Sequence, residues 1–150
     1  MSTATSGISE AAKILEQAQH SIERRCDLAV TLSRHQAVDA VWKAWQATET
    51  GRRIPDDETA ITTEVRDTAI RFVEALPLGF PQPLVSGEPD GDINLEWYRG
   101  ARRIISVSVS TANRIHWAAL IGSESPRGIF RFIDRVPESV LRCIARVFHA

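Results

Sequence analysis

Cysteine is scarce. Cys26 and Cys143 lie far apart, and neither belongs to a CxxC pair or sits beside a histidine at metal-ligand spacing. That argues against a disulfide framework and predicts a reducing compartment, with both thiols serving as small buried apolar side chains. Long apolar runs are missing as well, so no membrane span is expected. The opening Met1-Ser2-Thr3-Ala4-Thr5-Ser6-Gly7 lacks the basic and apolar regions of a secretory signal. The expectation is a soluble cytoplasmic protein with no membrane contact.

An excess of one charge is also lacking. A formal net charge of −1 over 150 residues exerts no general pull toward nucleic acid, membrane or acidic substrates. Lysine is limited to Lys13 and Lys43, so the basic side chains are nearly all arginine. Neither GxxxxGK[ST] nor GxGxxG occurs, which removes the familiar phosphate loops. His20, His35, His116 and His149 are scattered, and no two of them have helical i, i+4 spacing beside a carboxylate. No cofactor and no metal are expected.

The length suits one domain, residues 1–150, large enough to bury a core without staples. Residues 1–7 read as a disordered polar tail and 8–75 as the helical part. From Ile8 to Thr50 there is neither Gly nor Pro. Ile8, Ala11, Ala12, Leu15, Ala18, Ile22 and Cys26 trace one helical stripe, and Val38, Val41, Trp42 and Trp45 trace another. Ser33-Arg34-His35-Gln36 has the form of a capping box. One helix or two are compatible with this pattern; the drift in register favours two, meeting near Thr31 to Ser33 and stopped at Gly51. Pro55 then opens a further helix, with Asp56, Asp57 and Glu58 at the positive end of its dipole. Its apolar face is Ile61, Val65, Ala69, Phe72 and Val73, and Pro77 ends it.

Prolines 77, 81, 83 and 89 make 76–91 an extended, unpaired connector, with a turn at Asp90-Gly91. The remainder, 92–150, alternates as strands do. Ile93, Leu95 and Trp97 share a face, as do Ile105, Val107 and Val109, and then Ile115, Trp117, Ala119 and Ile121. Arg99-Gly100 and Thr111-Ala112-Asn113 are short enough for antiparallel hairpins. A shorter run, Gly128 to Ile133, adds a fourth strand. Pro137 opens a last helix with the stripe Val140, Leu141, Ile144, Val147 and Phe148. The fold class is therefore α+β: N-terminal helices on one face of a three- to four-stranded antiparallel meander, with a C-terminal helix.

The opposite sheet face carries Asp92, Asn94, Glu96, Tyr98, Ser106, Ser108, Arg114 and His116. A three-residue hairpin loop would set Ser108 opposite His116, and Glu96 with His116 are the acid/base candidates of a small enzyme or ligand-binding site. A solvated face consists of these same residue types, and no oxyanion hole is evident, so that is the weaker reading. Arg127, Arg131 and Arg135, with Arg99, Arg102, Arg103, Arg142 and Arg146, could form an arginine rim for phosphates. Nucleic-acid binding is likewise not favoured, since no recognised module accompanies them. Trp42 and Trp45 lie three apart on the apolar side of a helix. They serve as core or as anchor for another chain, tryptophan being enriched in interface hot spots.

One block carries a family likeness. Ala75-Leu76-Pro77, Pro83, Pro89-Asp90-Gly91, Leu95-Glu96-Trp97 and Ile105-Ser106-Val107-Ser108-Val109 give residues 61–147 a Leu-Pro, proline-rich link, Asp-Gly and Leu-Glu-Trp order. In this the chain resembles a group of small, uncharacterised bacterial proteins. Members of that group carry Trp-Asp-Gly ahead of the first matching helix, where this chain has Gly51-Arg52-Arg53-Ile54-Pro55-Asp56. The resemblance implies no activity. In size and style it is similar to accessory or antitoxin-like proteins of bacterial mobile-element or defence loci.

The functional expectation is thus a non-enzymatic partner: a regulatory, antitoxin-like or complex-subunit protein. It would bind another protein, or a second copy of itself, through its N-terminal helices. Trp42, Trp45, Glu96, Tyr98 and His116 are the candidate contact residues.

Overall fold

The computed structural model describes residues 10–49 and 58–149. The tail at 1–7, Ile8, the helix stop at Gly51 and the helix start at Pro55 to Asp57 lie outside the described residues, as does the side chain of Cys26. Among the described residues three helices and five strands follow in the order α1 (Glu10–Glu49), α2 (Thr63–Ala75), β1 (Leu84–Gly87), β2 (Ile93–Gly100), β3 (Arg103–Val109), β4 (Arg114–Ile121), β5 (Arg127–Arg131) and α3 (Glu138–Phe148). The chain divides into two compact units, Met1–Leu32 and Ser33–Ala150.

The first unit contributes helix from Glu10 onward. Among its described residues, Ile14, Leu15, Ile22, Leu28 and Leu32 are each 60–65% exposed. Two local contacts sit on its polar side: Arg24 Nε donates to the His20 carbonyl, and His20 lies 3.5 Å from Glu23. The expected break near Thr31 to Ser33 is corrected, because one helix, α1, runs from Glu10 to Glu49. With no Gly or Pro to interrupt it, the backbone ladder continues through Ser33-x-x-Gln36. A capping box requires an extended Ser, which a continuing helix does not allow.

The second unit holds the sheet, an open antiparallel meander in the order β1-β2-β3-β4-β5. Alternation puts Ile93, Leu95, Trp97, Ile105, Val107, Val109, Ile115, Ala119 and Ile121 on one buried face. Against it pack Val65, Ala69, Phe72 and Val73 of α2, then Val140, Cys143, Ile144 and Val147 of α3, with Ala37 and Val41 of α1 in the same cluster. Phe72 and Phe132 meet at 5.4 Å between ring centroids inside it. Each large side chain buried here contributes roughly 1.5–3 kcal/mol, so this apolar layer dominates the stability of the unit.

Three expectations about the elements change. The sheet has five strands, not three or four, because Leu84–Gly87 pairs with β2 instead of remaining an unpaired part of 76–91. Those four residues contain no proline, so their N–H groups are free to join the ladder. Helix α2 starts at Thr63, not Pro55: the Thr62 hydroxyl accepts from the Val65 N–H as N-cap, and Glu58 and Ile61 are non-helical. Ile61 is buried all the same. Finally, β2 runs on to Gly100 with a register shift between Tyr98 and Gly100, so the β2–β3 turn falls at Ala101-Arg102 and not at Arg99-Gly100.

The β3–β4 turn is locally strained. Ala112 and Asn113 both have positive φ, at 57° and 55°, the pairing of a tight hairpin turn that usually takes Asn-Gly. Helix α2 holds it in place. The Ala112 N–H donates to Glu64 Oε1 at 3.1 Å, and Thr68 Oγ1 and Arg71 Nη2 donate to Asn113 Oδ1 at 2.8 and 3.0 Å.

Candidate functional site

The outer sheet face is built from the residues that alternation turns away from the core. Cross-strand pairing arranges them in rows. One row reads Leu84, Glu96, Ser106, Ala118, Arg127; the next reads Ser86, Asn94, Ser108, His116, Ile129. Beyond them, Arg114 pairs with Arg131, and Tyr98 pairs with Ile104. Over the β3–β5 side lies a trough of about 520 Å³, lined by Ser106, Ser108, His116, Ala118, Arg127 and Ile129. That volume falls within the usual range for ligand pockets. Its floor is low because serine and alanine are short, and its wall is formed by His116, Arg127 and Ile129.

The serine protons are already committed. Ser106 Oγ donates to Asn94 Oδ1 at 2.5 Å, and Ser108 Oγ donates to Asp92 Oδ2 at 2.9 Å. Ser108 does lie opposite His116, but its hydrogen is directed at a carboxylate on the far side and not at the imidazole. Glu96 and His116 are not neighbours either: they occupy adjacent rows on β2 and β4, with β3 between, two inter-strand steps across and one row along, or about 12 Å apart. The acid/base pair considered from sequence is therefore not assembled within one copy. These serine pairs, and the exposed Leu84 and Ile129 on the same face, were not singled out as site features by the alternation pattern; following the period one strand outward to each edge would have reached Leu84 and Ile129.

The tryptophans lie elsewhere. Trp42 and Trp45 meet edge to face, with centroids 5.6 Å apart and planes at 82°. The Arg66 guanidinium of α2 sits 4.3 Å from each ring centroid, and its Nε also bonds Asp67 at 2.8 Å. Cation–π contacts of this kind contribute about 0.5–1 kcal/mol each at partly exposed sites. Trp45 is half-buried against the core, whereas Trp42 keeps 38% of its surface. The pair thus has an intramolecular partner, with Trp42 as its accessible edge. Neither ring belongs to the row of Glu96 or His116.

The arginines do not form one rim. Arg127 and Arg131 project on the outer face, while Arg135 is exposed in the segment between β5 and α3. Arg142 pairs with Glu138 and Arg146 with Glu124, each at 2.7 Å. Arg102 donates to the Gly122 carbonyl at 3.2 Å, and Arg99 lies 5.9 Å from the Phe148 ring centroid. Hydrogen bonding to Arg146 holds the Glu124 carboxyl below the usual carboxylate range. Burial pushes the Cys143 thiol up, against the opposing pull of Arg146.

Among the described residues no group of three or more His, Cys, Asp or Glu side chains gathers as a metal site, and no helix is long and apolar enough to cross a membrane. The chain matches no protein-family model, no curated protein and no solved structure.

Proposed function

We propose that this chain is a non-enzymatic partner protein, a regulatory, antitoxin-like or complex subunit of the kind found in bacterial mobile-element or defence loci. It binds another protein through the first part of α1. One observation carries this reading: Ile14, Leu15, Ile22, Leu28 and Leu32 are each 60–65% exposed along a single helix. Helices in water draw most of their stability from burying an apolar face. A partner with an apolar groove provides that burial, with Leu15 and Ile22, two turns apart, as its anchors. The exposed edge of Trp42 is a secondary contact.

The test uses the full chain, tagged in its native host, beside a Leu15→Glu/Ile22→Glu variant. A protein recovered in stoichiometric amount with the parent chain and absent with the variant supports the reading. Identical recoveries from the two, or none from either, refute it.

A further inference from the structure

The outer sheet face is divided by charge. On the β2 side it carries Asp92 and Glu96; on the β4 and β5 side it carries Arg114, His116, Arg127 and Arg131. Between them β3 presents only Ser106, Ser108 and Ile104. Among the described residues no cation lies within ion-pair distance of Glu96, and no carboxylate within that distance of Arg127. Large apolar side chains sit bare on the same face: Leu84 is 69% exposed, Tyr98 55% and Ile129 67%. In the trough the serine hydrogens point away to Asn94 and Asp92, which leaves Arg127 as the charged donor that an occupant's acceptor would meet.

We propose that this face is a dimer interface with a second copy of the chain, the two sheets being related by a two-fold axis that runs along β3 between them. Such a rotation preserves each cross-strand row and reverses its order, so that β2 of one copy lies over β4 of the other and β1 over β5. In the row Leu84, Glu96, Ser106, Ala118, Arg127, the Glu96 of one copy then descends over the short Ala118 of the other, beside its Arg127. In the next row Asn94 lies over His116. One row further, Asp92 lies over Arg114. The acceptor that the trough lacks is supplied by the very residue left without a cation in the single copy.

Charge selects this arrangement over the other face-to-face choice. An axis running across the strands would set β2 over β2 and β5 over β5, stacking Glu96 near Glu96 and Arg127 near Arg127, which complementary interfaces avoid. A two-fold interface is self-complementary by construction, and a face split into an acidic and a basic half satisfies that condition. Size is adequate too. Five strands at ~4.8 Å and about six residues at ~3.4 Å give a footprint of roughly 500 Å² per copy, or about 1,000 Å² for both, the lower bound for a specific interface. This proposal uses none of the α1 residues of the preceding reading and stands without it.

The experiment is sedimentation equilibrium of the full chain at low salt, with Glu96→Arg, Arg127→Glu and the double variant, each checked for folding by circular dichroism. The expected result is a dimer for the parent chain and at least tenfold weaker association for each single variant. Association returns in the double variant and in an equimolar mixture of the two singles, where opposite charges again face each other. A monomeric parent chain overturns the proposal. So does a dimer that neither charge reversal weakens, which would place self-association on another surface; abolition of that dimer by Leu15→Glu/Ile22→Glu would assign it to α1.

Discussion

The Trp97 indole N–H donates to the Pro81 carbonyl at 2.7 Å, and the Trp97 ring is only 1% exposed. This bond ties the proline-containing link to the second strand just ahead of β1, which begins at Leu84, directly after the buried Pro83. Trp97→Phe keeps an aromatic ring but loses the donor and leaves a carbonyl short of a partner. The expected cost is about 1–3 kcal/mol in denaturant unfolding. An unchanged midpoint would mean that water replaces the indole at Pro81.

The β3–β4 turn offers a two-sided test. Ala112 sits at φ 57°, a conformation costing a non-glycine residue roughly 1–2 kcal/mol, so Ala112→Gly should raise the melting temperature or leave it level after glycine's extra chain entropy is offset. Asn113→Ala should lower it, through a loss of about 1–3 kcal/mol of stability. It removes the acceptor of Thr68, a hydroxyl with no exposed surface, and takes one acceptor from Arg71, which keeps its bond to the Ile133 carbonyl. Calorimetry on both variants reads the two signs.

Gly128 faces Trp117 across β4 and β5. A methyl group added there would lie 2.8 Å from Trp117 Nε1, closer than real contacts allow. Gly128→Ala should destabilise by roughly 1–3 kcal/mol through displacement of the indole. A change in tryptophan emission should accompany the lower unfolding midpoint; neither change would occur if the ring had room to move aside.

The two parts of α1 should respond differently to truncation. Val41 is fully buried while Leu28 is 63% exposed. Val41→Ala is expected to cost roughly 2 kcal/mol, whereas Leu28→Ala should stay within about 0.5 kcal/mol. Urea unfolding of each variant measures the contrast.

Alkaline pH should weaken the fold through Cys143. Burial raises its thiol pKa in the folded chain, so the folded state holds the proton more tightly than the unfolded state. That contribution is complete below the ordinary thiol range and is lost as pH rises through the raised value. Glu124 has the opposite sign: its carboxyl is lowered by Arg146, so its contribution is present above the ordinary carboxylate range and is lost as pH falls. Cys143→Ser should flatten the alkaline limb of the melting-temperature profile and leave the acid limb unchanged.

Much of the architecture was legible in the residues themselves. A strand with one wet face must alternate, so Ile93-Leu95-Trp97, Ile105-Val107-Val109 and Ile115-Trp117-Ala119 declared a shared inner face before any contact was known. The 3.6-residue stripes of α2 and α3 did the same, because only helical spacing gathers Val65, Ala69 and Phe72, or Val140, Ile144 and Val147, on one side. What alternation cannot convey is which strand lies beside which. Leu84–Gly87 is too short to show a period, and it became a strand only because β2 offered it a free edge. The start of α2 was missed for a similar reason: proline and acidic residues near 55–58 are good local signals, yet Thr62 makes the cap.

Surface chemistry depended on tertiary structure more heavily still. Sequence determined that Glu96, His116 and the arginines would be polar and outward. It could not determine that β3 separates Glu96 from His116, that Arg66 would cover Trp42 and Trp45, or that the apolar residues of the first part of α1 would stay exposed. Periodicity is a local property of the chain, fixed by backbone geometry within a few residues. The neighbours of a side chain across strands and helices are set by which apolar faces close on one another, and that competition is resolved only in the folded molecule.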